Sequence, residues 1–242
     1  MVNAESIRDV ARALKLPVFE SYADYIGTDK PFDANLLTLL QMERERRETI
    51  SLNRRIVNAG FPAGTTLNTF KFVKTIPELK RETVDVLATC KFIEDGVNVC
   101  AIGPSGTGKT HLMAAIGREA VGRGYSVKFY RVSDMLTMLD EARTEKKLGA
   151  MMKALRKCDA LLLDELGYLN LSKSKSQLLF DVIAKRYEDR RSIYINSNYE
   201  FSKWPQFLGN EVMTNALVGK LTGLSVILNM NGEDYRLYVK GI

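Results

Sequence analysis

The chain has 242 residues, a formal net charge of +6, 45% apolar and 26% charged side chains. A chain of that length can bury a sizeable core, and the proportions are ordinary for a globular protein. No apolar run approaches the roughly 18 residues that a membrane span requires, so no membrane partner is expected. Met1-Val2-Asn3-Ala4-Glu5-Ser6 lacks the basic-then-apolar layout of a signal peptide. Cys90, Cys100 and Cys158 are scattered without metal-site or disulfide spacing. Buried free thiols are the expectation, and with them a cytoplasmic protein. The basic excess permits a nucleic-acid partner without requiring one.

In chain order, Ser6 is expected to cap a helix through Ile7, Val10, Ala11 and Leu14, ending before Pro17. A longer helix begins after Asp33 and carries Leu36, Leu37, Leu39 and Leu40. It runs through the charged stretch Glu43 to Glu48 as far as Val57, and Gly60 and Pro62 stop it. These helices form an expected small N-terminal domain, residues 1–60. The breaker-rich 61–76 reads as a linker and 77–242 as a second domain. In that second domain a helix from Glu78 to about Ile93 precedes the apolar strand Val97 to Ile102. Another helix follows, ended by Gly122 and Gly124, and then the strand Val127 to Tyr130. Helical stretches from Ser133 to Ala142 and from Glu145 to Lys157 lead to the strand Ala160 to Leu163. A helix from about Ser176 puts Leu179, Val182, Ile183 and Tyr187 on one face. The strand Ile193 to Ile195, a helix near Val212 to Leu221, and short strands around Val226 and Tyr235 complete the pattern. Alternation of this kind implies an α/β fold, a parallel sheet covered by helices on both faces.

Between the first strand of that domain and its helix lies Gly103-Pro104-Ser105-Gly106-Thr107-Gly108-Lys109-Thr110, a complete Walker A loop. Its glycines let successive N–H groups turn inward on phosphate oxygens, and the helix N-terminus adds partial positive charge. Lys109 would reach the β- and γ-phosphates of ATP, and the Thr110 hydroxyl would ligate Mg²⁺. Leu161-Leu162-Leu163-Asp164-Glu165 fits a Walker B strand. Asp164 would hold the metal and Glu165 would polarise an attacking water. Asn198, beyond the next strand, is a candidate γ-phosphate sensor, with a turn-forming role as the alternative. His111, which follows the loop, reads as packing or bracing rather than catalysis. Trp204 reads as a packing anchor.

These stretches, taken with others, resemble the IstB-like branch of the AAA+ ATPases across almost the whole chain. The resemblance rests on residues 103–112, on Asp164-Glu165-Leu166-Gly167-Tyr168, and on Leu179-Phe180 with Arg186-Tyr187-Glu188. It rests also on Ser197-Asn198 with Phe201-Ser202-Lys203-Trp204, and on Gly232 to Leu237. It implies an ATP-dependent helper of a transposase in bacterial insertion sequences, a homo-oligomer on DNA, with ATP and Mg²⁺ as cofactors. A DnaC-like helicase loader is the alternative within the same clade. By the same resemblance Arg236 would sit near the phosphates as a second sensor.

One departure from the family pattern concerns Lys220. Gly219-Lys220-Leu221 stands where the family carries Asp-Arg-Leu, an arginine implied to reach a neighbouring subunit's γ-phosphate. Lysine keeps the charge and loses the bidentate fork, so a weakened finger with slow turnover is expected. The alternative is that Arg186, Arg190 or Arg191 acts in trans instead. Candidate DNA-phosphate contacts are Lys146, Lys147 and Lys153 with Arg156, Lys173 and Lys175 in the loop beyond Walker B, and the arginines 44, 46, 47, 54 and 55. Each such group is more often a solvated face.

Overall fold

The computed structural model describes residues 4–72 and 76–235, with side chains from Ser6 onward. The chain divides into two compact units at Arg55/Ile56. The first contains α1 (Ala4–Ala13), α2 (Pro17–Glu20) and most of α3 (Phe32–Ala59). Ser6 therefore lies inside the first turn of α1 rather than capping it. Pro17 opens α2, where its missing N–H costs nothing. Glu43 on α3 is buried and accepts bonds from the Val18 N–H (3.2 Å) and Arg47 Nε (2.8 Å). Burial works against its charge, yet these bonds hold its carboxyl below the usual range.

The second unit contains, in order, α4 (Arg81–Ala88), α5 (Lys91–Glu94), β1 (Asn98–Ile102), α6 (Lys109–Gly122), β2 (Val127–Arg131), α7 (Val132–Thr144) and α8 (Leu148–Lys157). It continues with β3 (Ala160–Leu166), α9 (Lys173–Glu188), β4 (Ser192–Ser197), α10 (Pro205–Leu208), α11 (Glu211–Thr222) and β5 (Ser225–Asn229). The strands form one sheet in the order β2-β3-β4-β1-β5, and every pairing is parallel. Every residue of β1 and β4 is buried, as is most of β3, because helices cover both faces. On one face the core runs from Met135, Leu136 and Leu139 of α7 to Leu179 and Ile183 of α9 and Leu217 and Leu221 of α11. Trp204 joins it as a fully buried anchor. The other face is filled from α6 by Leu112, Met113, Ile116 and Ala120.

Several expectations require correction. The single helix from Glu78 to Ile93 is two, broken where Cys90 takes a left-handed conformation (φ 62°). Lys173 and Lys175 lie in the first turn of α9, not in a loop, because the Ser172 side chain caps the helix at the Lys175 N–H. Tyr187 is exposed, although Leu179, Val182 and Ile183 on the same helix are buried. Tyr235 does not lie in a strand, and residues 236–242 fall outside the described residues.

The stretch expected as a linker packs, as far as it is described, against α6. Gly117 makes this possible, since a Cβ there would fall 2.6 Å from the Phe61 ring and 2.7 Å from Leu162. Arg118 lies over the Phe61 ring and donates to the Pro62 carbonyl (2.8 Å).

The amino ends of β3 and β4 are tied to the end of α8 by Arg186. Its guanidinium is fully buried and donates to the carbonyls of Leu155 (2.6 Å), Cys158 (2.9 Å), Asp159 (3.1 Å) and Ser192 (2.7 Å). Burial pushes its pKa below the usual arginine value, with the Cys158 thiol pulling the other way. Removing the guanidinium strands several buried carbonyls, each a loss of about 1–3 kcal/mol. Arg186→Leu is therefore expected to lower the unfolding free energy by at least about 3 kcal/mol in urea titrations. Arg186→Lys, which cannot fork, should recover only part of the loss.

Candidate functional site

The carboxyl ends of β1, β3 and β4 meet around a cavity of about 410 Å³. Such a volume suits a small-molecule ligand. Its lining includes Ser105, Gly106, Gly108, Lys109, Thr110, Asp164, Glu165, Asn196 and Asn198. The loop 103–108 joins β1 to α6. Gly103 takes φ 155° and lies so close to the chain beside β5 that a Cβ would fall 2.3 Å from the Met230 carbonyl oxygen. Thr107 is turned inward to donate to the Pro104 carbonyl (3.0 Å). Lys109 is buried, and its ammonium donates to the Gly103 and Pro104 carbonyls (2.6 and 2.5 Å). Burial pushes its pKa down to about 8, while the Asp164 carboxylate pulls it up.

Asp164 and Glu165 occupy a β-bulge. Leu163 pairs with Ile195 and Leu166 with Ser197, so Asp164 and Glu165 together face one residue, Asn196. The bulge puts Glu165 at φ 61°, an uncommon conformation for a side chain of this kind. It buries Asp164, which accepts a bond from Asn196 Nδ2 at 2.9 Å. Glu165 stays at the cavity wall and pairs with Arg131 Nε at 3.5 Å. Arg131 closes β2 and lies in register with Asp164.

Asn196 escaped the sequence reading. The available signal was its place: it is the second-last residue of β4, at the carboxyl end where ligands collect. Its Oδ1 is buried without a hydrogen-bond partner, while its Nδ2 must face the carboxylate. Arg131 was equally unread, because only strand register brings it to Glu165.

Asn198 is half-buried and lines the cavity. His111 also lines it, but its Nε2 lies 3.1 Å from Thr69 Oγ1 and 3.0 Å from the Thr66 carbonyl. With the Phe70 ring at 5.6 Å, this braces the segment that runs over α6. Arg236 lies outside the described residues. Its neighbour Tyr235 lines the cavity and donates its N–H to the Gly106 carbonyl (3.0 Å).

Among the described residues no cluster of three His, Cys, Asp or Glu side chains could hold a metal by itself. The oxygens that suit a metal here include the Thr110 hydroxyl, the Asp164 carboxylate and the orphaned Asn196 Oδ1, with the Glu165 carboxylate at the wall. That hard, sparse set suits Mg²⁺ held partly by phosphates and water.

Residues 12–241 match the family described as IstB-like ATP binding protein. The chain belongs to this family. It is 34% identical over 241 residues to a relative from Geobacillus stearothermophilus, named as the ATP-binding protein of insertion sequence IS5376. That alignment covers 98% of this chain and 95% of the relative. It is 35% identical to the corresponding protein of insertion sequence IS21 from Pseudomonas aeruginosa, covering 85% of this chain and 77% of that one. Among solved structures, the DnaC helicase loader superposes with a TM-score of 0.60 at 25% identity, over 69% of this chain and 97% of that one. AMPPCP-bound DnaA from Aquifex aeolicus superposes with a TM-score of 0.57 at 24% identity, over 70% of this chain and 51% of that one, which is a likeness of fold. The fold is thus that of the AAA+ proteins, and the family is one of ATP binders from insertion sequences. No helix among the described residues is long and apolar enough to cross a membrane.

A phosphate-binding lysine must carry its proton to attract the ligand. ATP affinity of the free protein is therefore expected to fall as pH rises through about 8, by up to tenfold per pH unit beyond it. Fluorescent-nucleotide titrations between pH 7 and 9 check this. In Lys109→Arg, where the charge persists, the pH dependence should disappear.

Proposed function

We propose that this protein is a Mg²⁺-dependent ATPase that assembles as a homo-oligomer on DNA and recruits or stimulates the transposase of its insertion sequence. Lys109 and the loop N–H groups bind the triphosphate, and Thr110 and Asp164 hold the metal. Glu165 orients the attacking water, and Asn198 senses the γ-phosphate from the end of β4.

The observation that carries the oligomeric part is the position of Lys220. Its carbonyl accepts from Asn98 Nδ2 (3.3 Å), at the amino end of β1. The phosphate loop begins at the other end of that strand, roughly 15 Å away at the usual rise per residue. That separation argues against a role for Lys220 at its own triphosphate and supports the reading in which it serves that of a second copy. Of the arginines considered for this task, Arg186 is spent on buried carbonyls and Arg191 pairs with Asp159 at 2.5 Å. Arg190 is exposed.

DNA phosphates are met by the corner where α7 ends and α9 begins. Lys173 is exposed there, and Lys175 reaches Thr137 Oγ1 (3.4 Å) while Arg143 reaches Ser174 (2.8 Å). Cations at a helix N-terminus lack a favourable dipole of their own, and an anion there satisfies both. Lys146 and Lys153 are exposed on or before α8. Lys147 is paired with Glu145, Arg156 with Asp189 and Arg47 with Glu43, so these three contribute less.

The test is ATP turnover with and without duplex DNA, together with sedimentation of the complex. Glu165→Gln should bind ATP and assemble but not turn over. Lys173→Glu with Lys175→Glu should weaken DNA binding without changing nucleotide affinity. Asn196→Leu should raise the Mg²⁺ concentration needed for tight nucleotide binding about tenfold, as loss of a bond to a buried carboxylate predicts. Failure to bind DNA in any nucleotide state overturns the reading. Capture of a hexameric helicase instead of the transposase replaces it with the loader reading, which the DnaC likeness favours.

A further inference from the structure

Arg186 is a buried clamp, whereas the next residue, Tyr187, is 51% exposed. Lys220 Nζ lies over its ring, 4.6 Å from the centroid. From this geometry we infer that Tyr187 is a positioning residue for Lys220, holding the ammonium where a second copy's γ-phosphate is received. The inference rests on the trans role of Lys220 proposed above.

Both partners are fixed from below. Arg186 anchors the backbone next to Tyr187 through four carbonyls, on α8, on the two residues between α8 and β3, and on β4. Asn98 Nδ2 holds the carbonyls of Lys220 and Leu221 at the end of α11, and its Oδ1 accepts from the Ile193 N–H. The ring and the ammonium therefore meet on a rigid base.

Physical chemistry explains why a lysine here needs such a partner. An arginine brings a planar, pre-organised fork, whereas a lysine ends a flexible four-carbon stem with considerable rotamer freedom. A carboxylate beside Lys220 would hold the stem but cancel the charge. An aromatic face attracts the ammonium through its quadrupole and leaves the positive charge available to phosphate. Among the described residues Lys220 has no acidic partner within salt-bridge distance, and the Tyr187 hydroxyl makes no hydrogen bond. The ring, not the hydroxyl, is the working part.

Steady-state ATPase of the full chain assembled on duplex DNA tests this, with kcat and KM measured separately. Tyr187→Leu is expected to lower kcat about two- to fivefold with KM unchanged, the range a single exposed cation–π contact supplies. Tyr187→Phe should retain the unsubstituted rate. In a Lys220→Ala background, Tyr187→Leu should cause no further loss. Equal losses for Phe and Leu, an additive loss in the Lys220→Ala background, or a Tyr187→Leu variant at full rate each overturn the positioning role. Lys220→Ala at full rate, or no turnover by the unsubstituted chain, overturns the trans reading and this one together. A slow Lys220→Ala beside a normal Tyr187→Leu overturns only this one.

Discussion

The hydrogen bond from Asn196 to Asp164, made across the bulge in β3, is the constraint on which the site depends. Without the extra residue, strict alternation along β3 would send Asp164 and Glu165 to opposite faces at ordinary strand spacing. With it, two adjacent acids are aimed at one cavity from a buried strand, one deep and one at the wall. The bulge is not free, since Glu165 takes a left-handed conformation to make the turn. The bond from Asn196 and the Arg131–Glu165 pair hold the two carboxylates from either side. A strained backbone with over-determined side chains is a familiar arrangement at functional sites.

The rest of the second unit serves to bring three strand ends into line. The order β2-β3-β4-β1-β5 sets β4 between the loop-bearing β1 and the acid-bearing β3. Ile102 is in register with Ser197 and Leu163 with Ile195, so the strand tips finish at nearly one level. Helices on both faces dry the sheet, and in such sheets ligands collect at the carboxyl ends. The opposite ends are fastened by Arg186 and Asn98, which leaves Lys220 outside the unit's own cavity. The phosphate loop and Lys220 thus stand at opposite ends of β1.

What could be read in the sequence was whatever is encoded by local pattern. The phosphate loop, the Walker B run and the alternation of apolar strands with periodic helices all depend on neighbouring residues. The family's residue groups extended that reading to nearly the full length. What could not be read depends on register or on burial of a polar group. Asn196 looks like one more strand residue until β3 is laid beside it. Arg131 meets Glu165 only through pairing of β2 with β3. Arg186 reads in the sequence as one candidate for a trans role, yet it is among the most buried large side chains. Tyr187, by contrast, falls on the apolar spacing but reaches water. The break at Cys90 gave no warning either, because a left-handed conformation is expected at glycine or asparagine rather than cysteine.

Gly117 carries a consequence for how this chain can vary. The ring of Phe61 and a methyl of Leu162 occupy the space where any side chain at 117 would begin, on the very helix that starts at Lys109. Even a methyl group there would have to push the aromatic strap outward or drive the helix away from the sheet. The first outcome loosens the segment that His111 braces; the second shifts the amide groups facing the cavity. A position that touches no ligand is thereby held to a single hydrogen atom by the geometry of the ligand's cradle.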